Sequence, residues 1–200
     1  MLNTAVILNG PPGSGKDTIA ELLRPYGFFK REFKARLYQD TIEEFFLTGE
    51  LAEEFMFRAT HRRLKELPWD ALSDPSRYTD RALSPREALI HTSENIKKPS
   101  SGDDYFGKAA AEDCIADYAM RAVFSDGGFA SEIPPLIEAY RTVYIIKLLR
   151  TGFTFQGDSR TYLENFPNTF SVELIENHPR RALRDILDIL YINNETQLAL

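Results

Sequence analysis

The sequence has a single cysteine, only three histidines, no excess of basic charge and no long apolar run. Each shortage removes a class of chemistry. With Cys114 alone there is no intrachain disulfide and no Cys-x-x-Cys metal or redox pair. Cys114 falls in a helical stretch and reads as a small apolar filler, the usual behaviour of a free thiol. His61, His91 and His178 are far apart and lack the spacing of metal ligands. No apolar stretch approaches the ~20 residues a membrane helix requires. Residues 1–9 lack the basic start of a secretory leader. The expectation is no membrane partner and a cytoplasmic location. Lys and Arg total 24 against 30 Asp and Glu, a net charge of −6. That balance argues against a broadly basic nucleic-acid-binding surface, but not against a local basic groove.

What is present suits one α/β domain over residues 1–200. Thr4–Leu8 is short, apolar and β-branched, and predicts a buried strand. Asp17–Arg24 predicts a helix that stops near Pro25. Phe28–Phe33 is a second strand candidate. Ala35–Leu47 and Leu51–Leu67 predict helices, and Pro68–Leu83 a loop. Ser84-Pro85-Arg86-Glu87 combines a serine cap, proline at the first helical position and a capping-box glutamate. That helix is expected to reach about Ile96, and a longer one to span Asp104–Met120. Ala122–Ser125, Thr142–Leu149 and Phe170–Ile175 predict strands, with Pro179–Tyr191 the last helix. Arg150–Asn168 reads as a loop. Strands alternating with helices give a mostly parallel, doubly wound sheet with helices on both faces, three layers in all. Such sheets bind ligands at the carboxyl ends of their strands. Asn9, Asp126 and Arg150 all lie just beyond expected strand ends.

One motif carries the chemistry. Gly10-Pro11-Pro12-Gly13-Ser14-Gly15-Lys16 fits the G-x-x-x-x-G-K phosphate loop, and it stands between a strand and a helix as that loop requires. Glycines let several backbone N–H groups face one anion. The helix that follows adds the positive end of its dipole. Lys16 then reaches the outer phosphates. Where Ser or Thr normally helps to hold magnesium, this chain has Asp17, followed by Thr18. Two arrangements stay open: Asp17 holds the ion through water, or Thr18 contacts a phosphate. Carboxylate and water are both good magnesium ligands.

Gly13-Ser14-Gly15-Lys16-Asp17-Thr18 resembles the phage deoxynucleoside monophosphate kinases, a branch of the P-loop nucleoside monophosphate kinases. The resemblance is specific over residues 5–24. It continues more weakly through Arg86, Thr92, Ser93 and Asp104-Tyr105-Phe106, and again at Phe124-Ser125-Asp126. It implies Mg-ATP as donor, a deoxynucleotide as acceptor, a helical acceptor side over about 34–120 and a lid-like loop over about 150–168. For a phage protein the compartment is the infected host cytoplasm. Two departures stand out. The family commonly has an Arg two positions after the strand-end Asp, whereas this chain reads Asp126-Gly127-Gly128-Phe129. Gly157-Asp158-Ser159-Arg160 replaces an expected His-containing segment. A related group of phage kinases phosphorylates the hydroxymethyl group of 5-hydroxymethyluracil within DNA. That reading makes DNA the partner and removes the need for a monophosphate clamp.

Phosphoryl transfer works mainly through positioning and charge neutralisation, so the candidates are cations and a metal-holding carboxylate. Lys16, Asp126 and Arg160 are the expected catalytic residues. Gly10, Pro11, Pro12, Gly13, Ser14, Gly15, Lys16, Asp17, Thr18 and Arg150 are expected to bind the nucleotide. Arg36 and Arg86 are expected to grip the acceptor, since a guanidinium matches phosphate geometry. Asp17 and Asp126 are the candidate magnesium residues. Phe45, Phe46, Phe55 and Phe57 read as core or dimer contacts, which leaves a homodimer open. A non-catalytic ATP-binding switch is the alternative of a different class, because a fold does not fix a function.

Overall fold

A computed structural model describes residues 1–73 and 81–198. The central sheet has five strands: β1 (Leu2–Asn9), β2 (Phe29–Arg31), β3 (Arg121–Phe124), β4 (Tyr140–Leu149) and β5 (Thr169–Glu173). Their spatial order is β2-β3-β1-β4-β5, and every pairing is parallel. Val6 stands opposite Val123 on one side and Tyr144 on the other. β1 is thus central, and the chain order reverses on either side of it. This is the topological switch point where such sheets bind ligands.

Side chains alternate across the sheet, and the two faces carry separate cores. Ala5, Ile7, Phe124 and Ile145 pack with residues of α6 (Tyr105–Ala116) and α7 (Ile133–Ala139). Val6, Leu8, Val123 and Ile146 pack with α1 (Lys16–Leu23) and α8 (Pro179–Leu198). The result is a three-layer α/β fold of the P-loop type. Cys114 is fully buried in the first core, where burial raises its thiol pKa. Among the described residues no helix is long and apolar enough to cross a membrane.

The chain divides into two compact units, Met1–Phe33 with Gly107–Leu200, and Lys34–Phe106. The second is helical: α2 (Lys34–Glu44), α3 (Glu50–Thr60), α4 (Pro85–His91) and α5 (Lys98–Ser101). The expected capping box at Ser84 and Glu87 forms. The helix it starts does not stop near Ile96. It widens into a π-helical stretch, Thr92–Lys97, and continues as α5. The third helix ends at Thr60, short of Leu67, and a 3-10 turn at Leu64–Glu66 follows. The expected loop over Pro68–Leu83 contains a 3-10 turn, Asp70–Leu72, and its residues 74–80 lie outside the described residues. Phe55 is core, whereas Phe46 and Phe57 are exposed. The sequence reading placed no helix between Asp126 and Thr142, yet α7 occupies Ile133–Ala139. Pro134 falls in its first turn, where no N–H is needed.

Candidate phosphate-binding site

The loop between β1 and α1 is built around two left-handed residues. Gly13 has φ 74° and Gly15 has φ 103°, a region that glycine enters without steric cost. Gly15 is the N-cap of α1 and supplies no side-chain cap. The first N–H groups of α1 therefore have no capping oxygen and suit an anion. Gly10 is required for space: a Cβ there would lie 2.9 Å from Ser14 Oγ and 3.0 Å from the Leu148 carbonyl oxygen. Ser14 is fully buried, and among the described residues its Oγ has no hydrogen-bond partner. A buried, orphaned hydroxyl costs free energy unless a ligand satisfies it.

Lys16 is buried and folds back over the loop, donating to the carbonyl oxygens of Gly10 at 2.6 Å and Pro11 at 2.7 Å. Its pKa is lowered from 10.5 to about 8, first by burial and then by Arg160. Asp17, Asp158 and Asp126 oppose that shift. The same five side chains thus share one electrostatic neighbourhood, drawn from α1, the end of β3 and the β4–β5 loop. Arg160 is gripped by Asp158 through Nε to Oδ1 and Nη2 to Oδ2, both at 2.8 Å. That bond and the charges of Asp158, Asp126 and Glu132 raise its pKa.

Asp126 Oδ1 accepts from the Phe33 backbone N–H at 3.1 Å, fixing the chain just after β2. Asp17 Oδ1 accepts from Ser125 Oγ at 2.7 Å and pairs with Lys30 at 2.9 Å. Among the described residues no three His, Cys, Asp or Glu side chains cluster as a metal site. Magnesium does not need such a cage, because it keeps water and takes phosphate oxygens beside one or two carboxylates. Asp17 and Asp126, flanking Lys16, fit that mode of binding.

Beside the loop lies a cavity of about 220 Å³, lined by Gly15, Thr18, Arg150 and the segment from Leu174 to Pro179. Arg150 donates to the Gly13 carbonyl at 3.4 Å, pairs with Glu176 at 3.3 Å and lies 4.3 Å over the Phe153 ring. It therefore forms part of the wall of this cavity. Thr18 lines the same space.

Two of the expected residues belong to the helical unit. Arg36 bonds Asp40 through Nε at 3.1 Å, and Arg86 meets Glu66 at 3.4 Å on the surface. Glu132 holds the backbone N–H groups of Gly128 and Phe129. Three further features carried no assigned role in the sequence. Asp158 stood there only in the segment beside Arg160. Asn9 donates to the Thr161 carbonyl at 3.2 Å and accepts from the Leu163 N–H at 2.8 Å, tying the β4–β5 loop to β1. The Leu174–Pro179 wall has no local signature except its place after a strand end.

No family profile matches this chain, and no curated protein matches it. Solved structures similar to it include a dephospho-CoA kinase from Campylobacter jejuni, at 12% identity and TM-score 0.47, covering 97% of this chain and 100% of that one. An unliganded sugar kinase from Janibacter sp. matches at 14% identity and TM-score 0.46, over 96% of each chain. A gluconokinase from Sinorhizobium meliloti matches at 17% identity and TM-score 0.44, over 96% of this chain and 98% of that one. Likeness at such scores adds nothing to the sheet order and the loop geometry.

Proposed function

We propose that the protein is an ATP-dependent phosphotransferase whose acceptor is a deoxynucleoside monophosphate. The observation that carries this reading is the pairing of a left-handed, uncapped loop with two buried or half-buried cations, Lys16 and Arg160. The loop over Gly10–Gly15 cradles the donor phosphates with backbone N–H groups. Ser14 Oγ gains a phosphate oxygen as partner. Lys16 exchanges its loop carbonyls for the outer phosphates and neutralises their charge. The adenosine end lies in the cavity walled by Arg150 and Leu174–Pro179.

The bond between the γ-phosphorus and the β–γ bridging oxygen breaks. A new one forms from an acceptor phosphate oxygen to the same phosphorus, and ADP leaves. Arg160 meets charge on the transferring group, where positioned cations contribute most. Magnesium, when bound, draws charge from the donor phosphate oxygens; Asp17 and Asp126 are the residues to hold it. Arg36, whose guanidinium Asp40 holds through Nε, is the cation proposed to grip the acceptor phosphate.

The second reading, transfer to 5-hydroxymethyluracil in DNA, draws on one observation: position 128 offers no side chain of its own for a monophosphate. An acceptor screen with labelled Mg-ATP separates the two. It sets common and 5-hydroxymethylated deoxynucleoside monophosphates beside single- and double-stranded DNA containing 5-hydroxymethyluracil. Label on a free monophosphate is the expected result. Label on DNA alone replaces the first reading with the second, and label on neither overturns both.

A further inference from the structure

Gly128 is a glycine for a reason of space. It does not have a positive φ, so its backbone suits any residue. A Cβ at 128 would nevertheless lie 2.5 Å from Arg160 Cδ, 3.0 Å from Cγ and 3.2 Å from Cβ. The stem of Arg160 therefore lies along the backbone at the place a side chain of residue 128 would fill. The neighbouring Gly127 is closed off as well, because a Cβ there would meet Ile7 and Phe33 at 2.9 Å each. Glu132 Oε2 holds the N–H groups of Gly128 and Phe129 at 3.4 and 3.3 Å. The turn after β3 is thus a fixed, bare track, and Arg160 runs along it.

The far end of Arg160 is also fixed. Asp158 takes its backbone N–H at 2.9 Å, its Nε at 2.8 Å and its Nη2 at 2.8 Å. Both side chains are mostly covered, at 24% exposed for Arg160 and 15% for Asp158. Those two bonds use one N–H of Nε and one of Nη2. A guanidinium held in two-pronged fashion by a carboxylate is oriented without being consumed, since it has donors to spare.

We propose that Gly128 and Asp158 are positioning residues that together seat Arg160, so that the β4–β5 loop, and not the turn after β3, supplies the cation that meets the donor's terminal phosphoryl group. This rests on reading the loop over Gly10–Gly15 as a nucleoside triphosphate site. It does not depend on which acceptor is used, or on transfer taking place.

The test is the ratio of ATP to ADP affinity, measured by calorimetry with magnesium on the full chain. A contact to the terminal phosphoryl group appears in that ratio, and general damage to the loop does not. Arg160→Gly is expected to lower the ratio about tenfold, the scale of one charge-assisted hydrogen bond, with ADP affinity nearly unchanged. Gly128→Val, and more mildly Gly128→Ala, displace the stem and lower the ratio without lowering ADP affinity. Asp158→Ala lowers it severalfold. The decisive variant is Gly128→Arg combined with Arg160→Gly, which moves the cation onto the track it normally covers. Recovery of most of the lost ratio supports the proposal. An unchanged ratio in Arg160→Gly or Gly128→Val overturns it, as does a double variant no better than Arg160→Gly alone. If the ratios behave as expected but no acceptor is labelled, the phosphotransferase reading fails and the seating of Arg160 stands. If neither nucleotide binds, both fail.

Discussion

Lys16 is a buried cation waiting for an anion, and its pKa of about 8 turns that into a pH dependence. Between about pH 8 and the unfolded value of 10.5, the unfolded chain binds the proton that the folded chain has lost. Stability of the ligand-free protein therefore gains from this residue as pH rises through that window. If Lys16 grips the phosphates as proposed, ATP affinity should move the opposite way, because that charge is lost above about pH 8. Phosphate binding restores the proton, so calorimetry at pH 9 in buffers of different ionisation enthalpy should record proton uptake with ATP. Equal heats in all buffers would show that Lys16 does not face the phosphates. Lys16→Ala removes the charge altogether and should abolish transfer. Ser14 makes the complementary case. Its buried Oγ has no partner among the described residues, so Ser14→Ala should raise the stability of the ligand-free protein by about 1 kcal/mol, the low end for an unsatisfied buried group. It should also weaken ATP binding, which thermal melts with and without nucleotide will register. Both residues were legible in the sequence, because the motif fixes their place on the loop. The role of Asp158 was not, because pairing between residues two apart in a loop has no periodicity to betray it.

Strands and helices were legible where one periodicity ruled. β4 and β1 are apolar runs buried on both faces, and the loop between β1 and α1 has its glycines where φ turns positive. α7 is short and carries Pro134 and Pro135, residues a helix tolerates only in its first turn, so no helical periodicity marks it. The π-helical stretch Thr92–Lys97 has no sequence signal in this chain, and it carried a helix past its expected end. Two elements of the site have mechanical consequences. Gly15 caps α1 at φ 103°, and a Cβ there would meet Leu174 at 2.9 Å. Gly15→Ala therefore combines left-handed strain of about 1–2 kcal/mol with a clash against the cavity wall. Denaturant melts should record at least that loss, and ATP binding should fall with it. Asn9 is the hinge pin between β1 and the β4–β5 loop, with two hydrogen bonds to residues 161 and 163. Asn9→Ala leaves the Leu163 N–H without its partner and should cost about 1–3 kcal/mol. Limited proteolysis should then cut first within 150–168; unchanged cutting would mean the loop is held elsewhere.

The whole chain carries a net charge of −6, yet Lys16 and Arg160 lie close enough for one to lower the pKa of the other. Composition alone could not reveal that local reversal, because it arises from chain segments some 140 residues apart. Composition does not mark the division into two compact units either. Residues 34–106 are interrupted by turns, and no linker composition marks where they begin or end. Their core is separate from those of the sheet: Tyr38, Leu47, Phe55, Ala59, Leu72, Leu83 and Ala88 form one cluster. Within this unit Asp40 is 1% exposed, and its Oδ1 receives Arg36, Lys97 and Tyr105 at 3.1, 3.2 and 3.3 Å. Removing the carboxylate leaves two cations without their counter-charge. Breaking a fully buried pair costs about 3–5 kcal/mol. Arg36 is 44% exposed and Lys97 23%, so water recovers part of that and about 2 kcal/mol is the expected loss for Asp40→Ala. Because the cores are separate, the loss should be local. Hydrogen exchange should quicken over Lys34–Phe106 while the amides of β1, β3 and β4 keep their protection. Equal acceleration across both units would show instead that the chain opens as one cooperative body, and that the helical unit has no stability of its own to lose.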